Sequence, residues 1–146
     1  MIKINKLETI ILVENDPAVL SVVEDVLVRA GFEVLVARSA PESLEIEKTF
    51  KNKIDLLLVD VRLPGTTGPD LGARFQKLRP DMHVMLISGF PGGDLLLLNY
   101  GWYFMQKHVI AQVLVERIND VLHTPKRDQG TDRFLTEPSI LGLVAG

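Results

Sequence analysis

Two patterns of apolar and polar positions alternate along the chain. Short, continuously apolar runs of strand length are separated by longer stretches in which apolar residues recur at helical spacing. The first run, at 9–13, is apolar and β-branched, as is typical of a strand buried on both faces of a sheet. Similar runs predict strands at 32–37, 54–60, 83–88 and 102–106. Strands that alternate with helices favour a parallel sheet.

Capping and stop residues predict the helices between these strands. Asp16 followed by Pro17 is typical of an N-cap and first helical position, and Gly31 predicts the end of that helix. Ser39 and Glu42 have the spacing of a capping box, which predicts a second helix running to residue 50. The turn-rich segment PGTTG at 64–68 predicts a loop that leads into a third helix at 69–78. The remaining helices are predicted at 95–99, as a short fourth helix, and at 110–122.

Five strands and five helices in alternation predict an α/β fold, namely a flavodoxin-like, doubly wound, five-stranded parallel sheet with helices on both faces. The length of 146 residues favours one domain. We expect the folded domain to cover 9–123, preceded by a leader at 1–8. The composition becomes polar from residue 125, as PKRDQGTDRF, which predicts a linker or C-terminal tail at 124–146.

The composition excludes several classes of site. The chain has no cysteine, which excludes disulfides, thiolate zinc sites and cysteine nucleophiles, and its three histidines lack metal-ligand spacing. A net charge of −3 disfavours direct binding to nucleic acid. No apolar stretch approaches the roughly 20 residues that span a bilayer, and no signal peptide is visible. We therefore expect a cytoplasmic protein without membrane insertion.

Polar residues follow the predicted strands at their carboxyl ends. Glu14 and Asn15 follow the first strand, Asp60 ends the third, Ser88 ends the fourth and Lys107 follows the fifth. These ends share one edge of a parallel sheet, where ligands bind. Clustered acids repel one another unless a cation or Lys107 compensates their charge, and oxygen ligands suit Mg²⁺. A hydroxyl and an ammonium beside a carboxylate would stabilise phosphoryl oxygens. The arrangement predicts phosphoryl transfer to Asp60.

Four segments, ILVENDPAVL, LLLVDVRLPGTTG, VMLISGF and FMQK, resemble the signature segments of response-regulator receiver domains of two-component signalling. The resemblance covers residues 9–123, and the first and third segments look most like receivers of hybrid sensor histidine kinases. It implies that Asp60 is the phosphoacceptor. It also implies that Mg²⁺ is held by Glu14, Asn15, Asp60 and the backbone carbonyl of Arg62.

The same resemblance assigns roles to residues around the phosphoacceptor. Ser88 matches the switch hydroxyl, Lys107 the phosphoryl-stabilising lysine and Phe104 the aromatic switch position. Arg62 and Phe90 match positions that tune the lifetime of the phosphoryl group. Both are bulky here, so we expect slow self-dephosphorylation.

Two residues depart from the family pattern. Asn15 stands where the family usually has a second carboxylate, so Mg²⁺ binding is expected to be weaker. A turn role for Asn15 is an equal alternative to metal ligation. His108 stands where the family usually has proline after a cis peptide bond. A cis bond before any other residue costs about 2.5–4 kcal/mol, so a trans bond is expected, with Lys107 aimed differently.

The resemblance implies a switch rather than an enzyme, with at most self-catalysed phosphorylation and dephosphorylation. The phosphoryl donor would be a histidine kinase or phosphotransfer protein, and the chain could be part of a hybrid histidine kinase. A phosphorylation-independent, pseudo-receiver interaction module is the alternative. A small flavodoxin-like enzyme is disfavoured because no glycine-rich phosphate loop follows the first strand.

An unusually apolar stretch surrounds the predicted fourth helix and fifth strand. Four consecutive leucines cannot all face inward on one helix. Core burial is one explanation. The other is a partner or homodimer surface on the face formed by the fourth helix, fifth strand and fifth helix, which is the usual output surface of the family. The residues concerned are Leu95, Leu96, Leu97, Leu98, Tyr100, Trp102 and Tyr103.

Overall fold

Strands and helices alternate as the hydrophobic pattern predicts. The computed structural model describes residues 7–88, 103–106 and 111–123. The elements in those ranges are β1 (Thr9–Val13), α1 (Pro17–Arg29), β2 (Glu33–Ala37), α2 (Ala40–Thr49), β3 (Leu56–Asp60), β4 (Arg62–Leu63), β5 (Thr66–Thr67), α3 (Gly68–Leu78), β6 (His83–Ser88), β7 (Tyr103–Gln106) and α4 (Ala111–His123).

Five of the strands form one parallel sheet in the order β2-β1-β3-β6-β7. When only the strands of this sheet are counted, the order is 2-1-3-4-5, which is the flavodoxin-like arrangement. The predicted fold class is therefore confirmed. The strand order reverses at β1 and β3, so the carboxyl ends of these two strands mark the point where such sheets bind ligands.

Both faces of the sheet are covered by helices. Alternate residues of β1 and β3, such as Ile11 and Leu57, pack in a core that includes side chains of α2 and α3. Their neighbours, such as Leu12 and Leu58, pack in a second core that includes side chains of α1 and α4. Burial on both faces explains why these strands are continuously apolar rather than alternating.

The predicted helix starts and stops are mostly observed. Asp16 is the N-cap of α1, and Gly31 follows the helix with a φ of 97°, a value that favours glycine. Ser39 caps α2, and its hydroxyl oxygen accepts a hydrogen bond from the Glu42 N–H at 3.2 Å. In return the Glu42 carboxylate accepts from the Arg38 N–H rather than from Ser39, one residue earlier than a capping box requires.

The segment after Asp60 differs from the predicted loop. It forms a two-stranded antiparallel hairpin in which Arg62 pairs with Thr67 and Leu63 pairs with Thr66. The turn contains Gly65 at a φ of 77°. Strands of two residues are too short for a periodic pattern, so only the turn residues were visible in the sequence. The predicted helix at 95–99 lies outside the described residues and stays a prediction.

Arg79, at the end of α3, forms hydrogen bonds with the end of α2 and the residues after it. Its guanidinium donates to the Glu47 carboxylate at 3.0 Å. It also donates to the backbone carbonyls of Glu47, Phe50 and Asn52 at 3.1, 2.6 and 2.8 Å. The Arg79 and Glu47 side chains are only 19% and 16% exposed, so the ion pair is poorly screened by water. Glu47 lies in the last turn of α2, where backbone carbonyls lack an intrahelical N–H partner, and Arg79 donates to its carbonyl from outside the helix.

The helices in the described ranges are α1 to α4. None of them is long and apolar enough to cross a membrane.

Candidate functional site

Three polar side chains lie buried at the carboxyl edge of the sheet. Glu14 directly follows β1, Asp60 ends β3 and Ser88 ends β6. They are 0%, 6% and 1% exposed, respectively. Val13 pairs with Val59, so Glu14 and Asp60 occupy the next positions on adjacent strands, which are about 4.8 Å apart. The structure thus brings together residues that are distant in sequence.

Hydrogen bonds to the backbone hold Glu14 at this edge. Its N–H donates to the carbonyl of Ala37 at the end of β2, over 3.1 Å. Its carboxylate oxygen Oε2 accepts from the N–H of Asp16 at 3.3 Å. Glu14 is therefore fixed at its backbone by one neighbouring strand and at its side chain by the turn into α1.

The chain segment that follows Asp60 holds the Asp60 carboxylate in place. Its oxygen Oδ1 accepts a hydrogen bond from the Arg62 N–H at 3.1 Å. The N–H of Val61 donates to the carbonyl of Ile87 at 2.9 Å, which keeps β3 paired with β6 beyond Asp60. Ser88 is the residue after Ile87 and so lies one strand away from the phosphoacceptor candidate.

Gly68 brings the start of α3 directly onto the backbone of Asp60. A Cβ atom at this glycine would lie 2.3 Å from the Asp60 carbonyl oxygen and 3.0 Å from its carbonyl carbon. The Gly68 N–H donates to the Val61 carbonyl at 2.7 Å. Glycine is required here because no side chain fits between the helix and the end of β3.

The oxygen ligands at this edge fit a hard divalent cation. Glu14 and Asp60 are buried carboxylates on adjacent strands, where their mutual repulsion favours a positive ion. Asn15 is exposed beside them and offers a neutral amide oxygen. Within the described ranges no group of three or more histidine, cysteine or carboxylate side chains is arranged to hold a metal. Glu14 and Asp60 are the two buried carboxylates at this edge of the described residues.

Several predicted site residues lie outside the described residues. They are Phe90, Leu95, Leu96, Leu97, Leu98, Tyr100, Trp102, Lys107 and His108. Phe104 lies in β7, where its backbone pairs with Leu86, and nothing more is described for it. Tyr103 is half-buried and packs against the core that includes side chains of α1 and α4. The predicted self-association surface and the phosphoryl-stabilising role of Lys107 stay predictions.

Two features of the site were not recognised in the sequence. Gly68 appeared there only as part of a turn-rich loop, although its place eight residues after Asp60 could have suggested a close approach. Asp16 appeared only as a helix cap, whereas its N–H also holds the Glu14 carboxylate. The Asp16-Pro17 helix start, two residues after Glu14, is the signal that could have indicated this contact.

A cavity of about 460 Å³ lies at the opposite edge of the sheet. Its lining residues are Leu7, Glu8, Thr9, Glu33, Asn52, Lys53 and Asp55. Thr9 forms hydrogen bonds with two of the acidic residues that line the cavity. The Thr9 N–H donates to Asp55 at 2.7 Å, and the Thr9 hydroxyl donates to Glu33 at 2.8 Å. Thr9 begins β1, whereas Glu14 follows its end, about 16 Å away. This cavity does not belong to the carboxyl-edge site.

Proteins that are similar to this chain in sequence or structure include response regulator receiver domains. The sequence matches the response regulator receiver domain family over residues 10–119. The chain is similar to the solved structure of a response regulator receiver domain protein (CheY-like) from Methanospirillum hungatei JF-1. The TM-score is 0.72 and the identity 30%, covering 80% of this chain and 94% of that one. It is also similar to the receiver domain of the hybrid histidine kinase CckA, with a TM-score of 0.68 and 34% identity, covering 79% of this chain and 99% of that one.

Among curated proteins, the transcriptional regulatory protein GlrR of Escherichia coli (strain K12) is 28% identical over an alignment of 116 residues that covers 77% of this chain. The match covers 26% of GlrR, so the chain spans about a quarter of that relative's length. The family match over most of the sequence agrees with the 2-1-3-4-5 parallel sheet. This chain belongs to the response regulator receiver domain family of two-component signal transduction.

Proposed function

We propose that Asp60 accepts a phosphoryl group and that the acyl phosphate switches a protein-interaction surface. The observation that carries this proposal is the burial of Asp60 beside Glu14 on the adjacent strand, with Ser88 at the end of the next one. Two carboxylates and a hydroxyl at a strand switch point supply what phosphoryl transfer requires, namely a nucleophile, cation ligands and a hydrogen-bond donor.

The chemistry is a substitution at phosphorus. A carboxylate oxygen of Asp60 forms the new O–P bond as the P–N bond of a phosphohistidine donor breaks, and the histidine nitrogen keeps the electron pair. The Arg62 N–H orients the Asp60 carboxylate for this attack through its bond to Oδ1. Glu14, Asp60, Asn15 and the Arg62 carbonyl would hold Mg²⁺, whose charge would offset that of the phosphoryl oxygens.

The donor is a histidine kinase or phosphotransfer protein, because the family works in two-component signalling. Ser88 donates its hydroxyl to a phosphoryl oxygen, and Lys107 pairs with the phosphoryl charge. Phe104 responds through a population shift between two surface states. Ser88 is buried at the edge of the sheet, which supports its part in this proposal.

A phosphorylation-independent interaction module is the second candidate. It is favoured by Asn15, because the described edge has two buried carboxylates, Glu14 and Asp60, and a neutral amide where the family usually has a third carboxylate. In that function the same fold would bind its partner without an acyl phosphate.

Mass spectrometry distinguishes the two functions. The protein is incubated with acetyl phosphate or phosphoramidate and Mg²⁺, and the intact mass is compared for the wild type and Asp60→Asn. We expect a single Mg²⁺-dependent phosphoryl adduct in the wild type and none in the variant, because an amide is not a nucleophile for phosphorus. Absence of an adduct, together with no binding of Mg²⁺ or beryllofluoride, would contradict the phosphoacceptor function and favour the second candidate.

Restoring the acid at position 15 is expected to strengthen Mg²⁺ binding. In Asn15→Asp, a third carboxylate replaces a neutral amide near the cation. We expect the Kd for Mg²⁺ to fall about three- to tenfold at low ionic strength. The measurement is an NMR titration with MgCl₂, following the amide signals of residues 13–16. An unchanged Kd would show that side chain 15 does not face the metal.

Shortening Arg62 is expected to speed hydrolysis of the acyl phosphate. Arg62 is two residues after Asp60, and its long side chain is exposed. We expect Arg62→Ala to shorten the phosphoryl lifetime several-fold, because attacking water gains access. Arg62→Lys, which keeps the length and charge, serves as the control. Equal lifetimes in the alanine variant and the wild type would remove Arg62 from this role.

A further inference from the structure

Asp16 connects the first helix to the Glu14 carboxylate through two sets of hydrogen bonds. Its side-chain oxygen Oδ1 accepts from the N–H of Ala18 at 2.9 Å and from that of Val19 at 3.4 Å. Its own backbone N–H donates to Oε2 of Glu14 at 3.3 Å. One residue therefore caps α1 and holds the carboxylate that precedes it by two positions.

The cap fixes the direction of the N–H that holds Glu14. Asp16 has an extended backbone, with φ −81° and ψ 113°, and the next residue is Pro17 at the first helical position. The side-chain bonds to Ala18 and Val19 keep Asp16 in this conformation at the start of the helix. Without these bonds the turn between β1 and α1 gains backbone freedom, and the Asp16 N–H is no longer held pointing at Glu14.

The buried Glu14 carboxylate depends on a fixed hydrogen-bond donor for its orientation more than an exposed metal ligand would. It is fully buried, and a glutamate carboxylate turns about several side-chain bonds. A metal ligand that is already oriented avoids the ordering cost at the moment of binding, which is why partners of the ligands affect metal affinity.

We propose that Asp16 is a positioning residue for Glu14, and that its helix-capping side chain, rather than its negative charge, keeps the Glu14 carboxylate oriented for Mg²⁺. The proposal rests on the proposed phosphoacceptor function, in which Glu14 holds the metal. The Asp16 side chain is exposed and its Oδ1 is engaged by helix amides, so its contribution passes through the backbone.

Three variants separate capping from charge. Asp16→Asn and Asp16→Ser remove the charge but keep a good N-cap, whereas Asp16→Ala removes both. Ser39→Ala is the matched control, because it removes the cap of α2. The Ser39 hydroxyl accepts from the Glu42 N–H, which is not part of the site. All proteins are titrated with MgCl₂ by NMR below their unfolding temperatures. Exchange of the Asp16 amide hydrogen is measured without metal.

We expect Asp16→Ala to weaken Mg²⁺ binding about tenfold, at the lower end of the range for lost ligand partners, and to speed exchange of its own amide hydrogen. Asn and Ser at position 16 should restore both quantities to within about twofold. Ser39→Ala should lower the melting temperature as Asp16→Ala does, without changing Mg²⁺ affinity. Wild-type affinity in Asp16→Ala would overturn the proposal, and so would an affinity in Asp16→Asn as weak as in Asp16→Ala.

Failure of the proposed function gives a different result. In that case the wild type itself would not bind Mg²⁺, whatever residue stands at position 16. Amide exchange in the metal-free protein still decides whether the cap holds the Asp16 N–H on Glu14. Unchanged exchange in Asp16→Ala would overturn the positioning role.

Discussion

Gly68→Ala is expected to lower the free energy of unfolding by about 3 kcal/mol and to impair phosphorylation of Asp60. The new methyl carbon would lie 2.3 Å from the Asp60 carbonyl oxygen, which is part of the backbone and cannot rotate away. Either the start of α3 or the end of β3 has to move. Overpacking of this kind typically costs about 1–3 kcal/mol, and a backbone neighbour places this site at the upper end.

Urea denaturation and the intact-mass assay together test this prediction. Gly31→Ala is a matched control, because a Cβ there meets nothing within 4 Å and only its φ of 97° is unfavourable. We expect that control to lose about 1 kcal/mol and to be phosphorylated as the wild type is. A Gly68→Ala protein with unchanged stability and phosphorylation would show that the contact with Asp60 is relieved by small shifts.

Arg79→Ala is expected to destabilise the fold by about 3 kcal/mol, which corresponds to a fall in Tm of roughly 10 °C. The substitution leaves the poorly exposed Glu47 carboxylate without its cation and three backbone carbonyls without their donor. Loss of one partner of a buried ion pair usually costs about 3–5 kcal/mol, and the residual exposure here reduces that figure.

Two further variants make the Arg79 measurement specific. Arg79→Lys keeps the charge but cannot reach an acid and several carbonyls at once, so we expect it to recover less than half of the loss. Arg29→Ala removes an exposed ion pair with Asp25, whose side chains are 79% and 61% exposed, and should change stability by less than about 0.5 kcal/mol. Similar Tm values for Arg79→Ala and Arg29→Ala would contradict the prediction.

Much of the fold could be predicted from local patterns. The strands at 9–13 and 83–88 have the predicted bounds, and Asp16 begins α1 as its capping chemistry indicates. Periodicity reports burial directly, and a cap depends on residues at most four positions apart. Both kinds of information are local, so a single sequence contains them. The β4–β5 hairpin was missed because two residues cannot show a period.

The candidate site was predictable only in part. Since parallel strands end at one edge, the sequence predicted that Glu14, Asp60 and Ser88 would meet there, and the structure places them at adjacent strand ends. The sequence did not predict how closely they are held. The bond from the Asp16 N–H to Glu14 depends on the angle of one turn, which residue types do not specify.

The sequence by itself determined the alternation of strands and helices, the two-sided burial of the sheet and the edge at which the polar residues collect. Only the tertiary structure decided that Gly68 touches the Asp60 backbone and that Arg79 reaches Glu47, a residue 32 positions away. Burial and capping follow from the nature of neighbouring residues. Contacts between distant segments depend on how whole helices and strands pack. A difference of about one ångström in that packing is enough to form or remove such a contact.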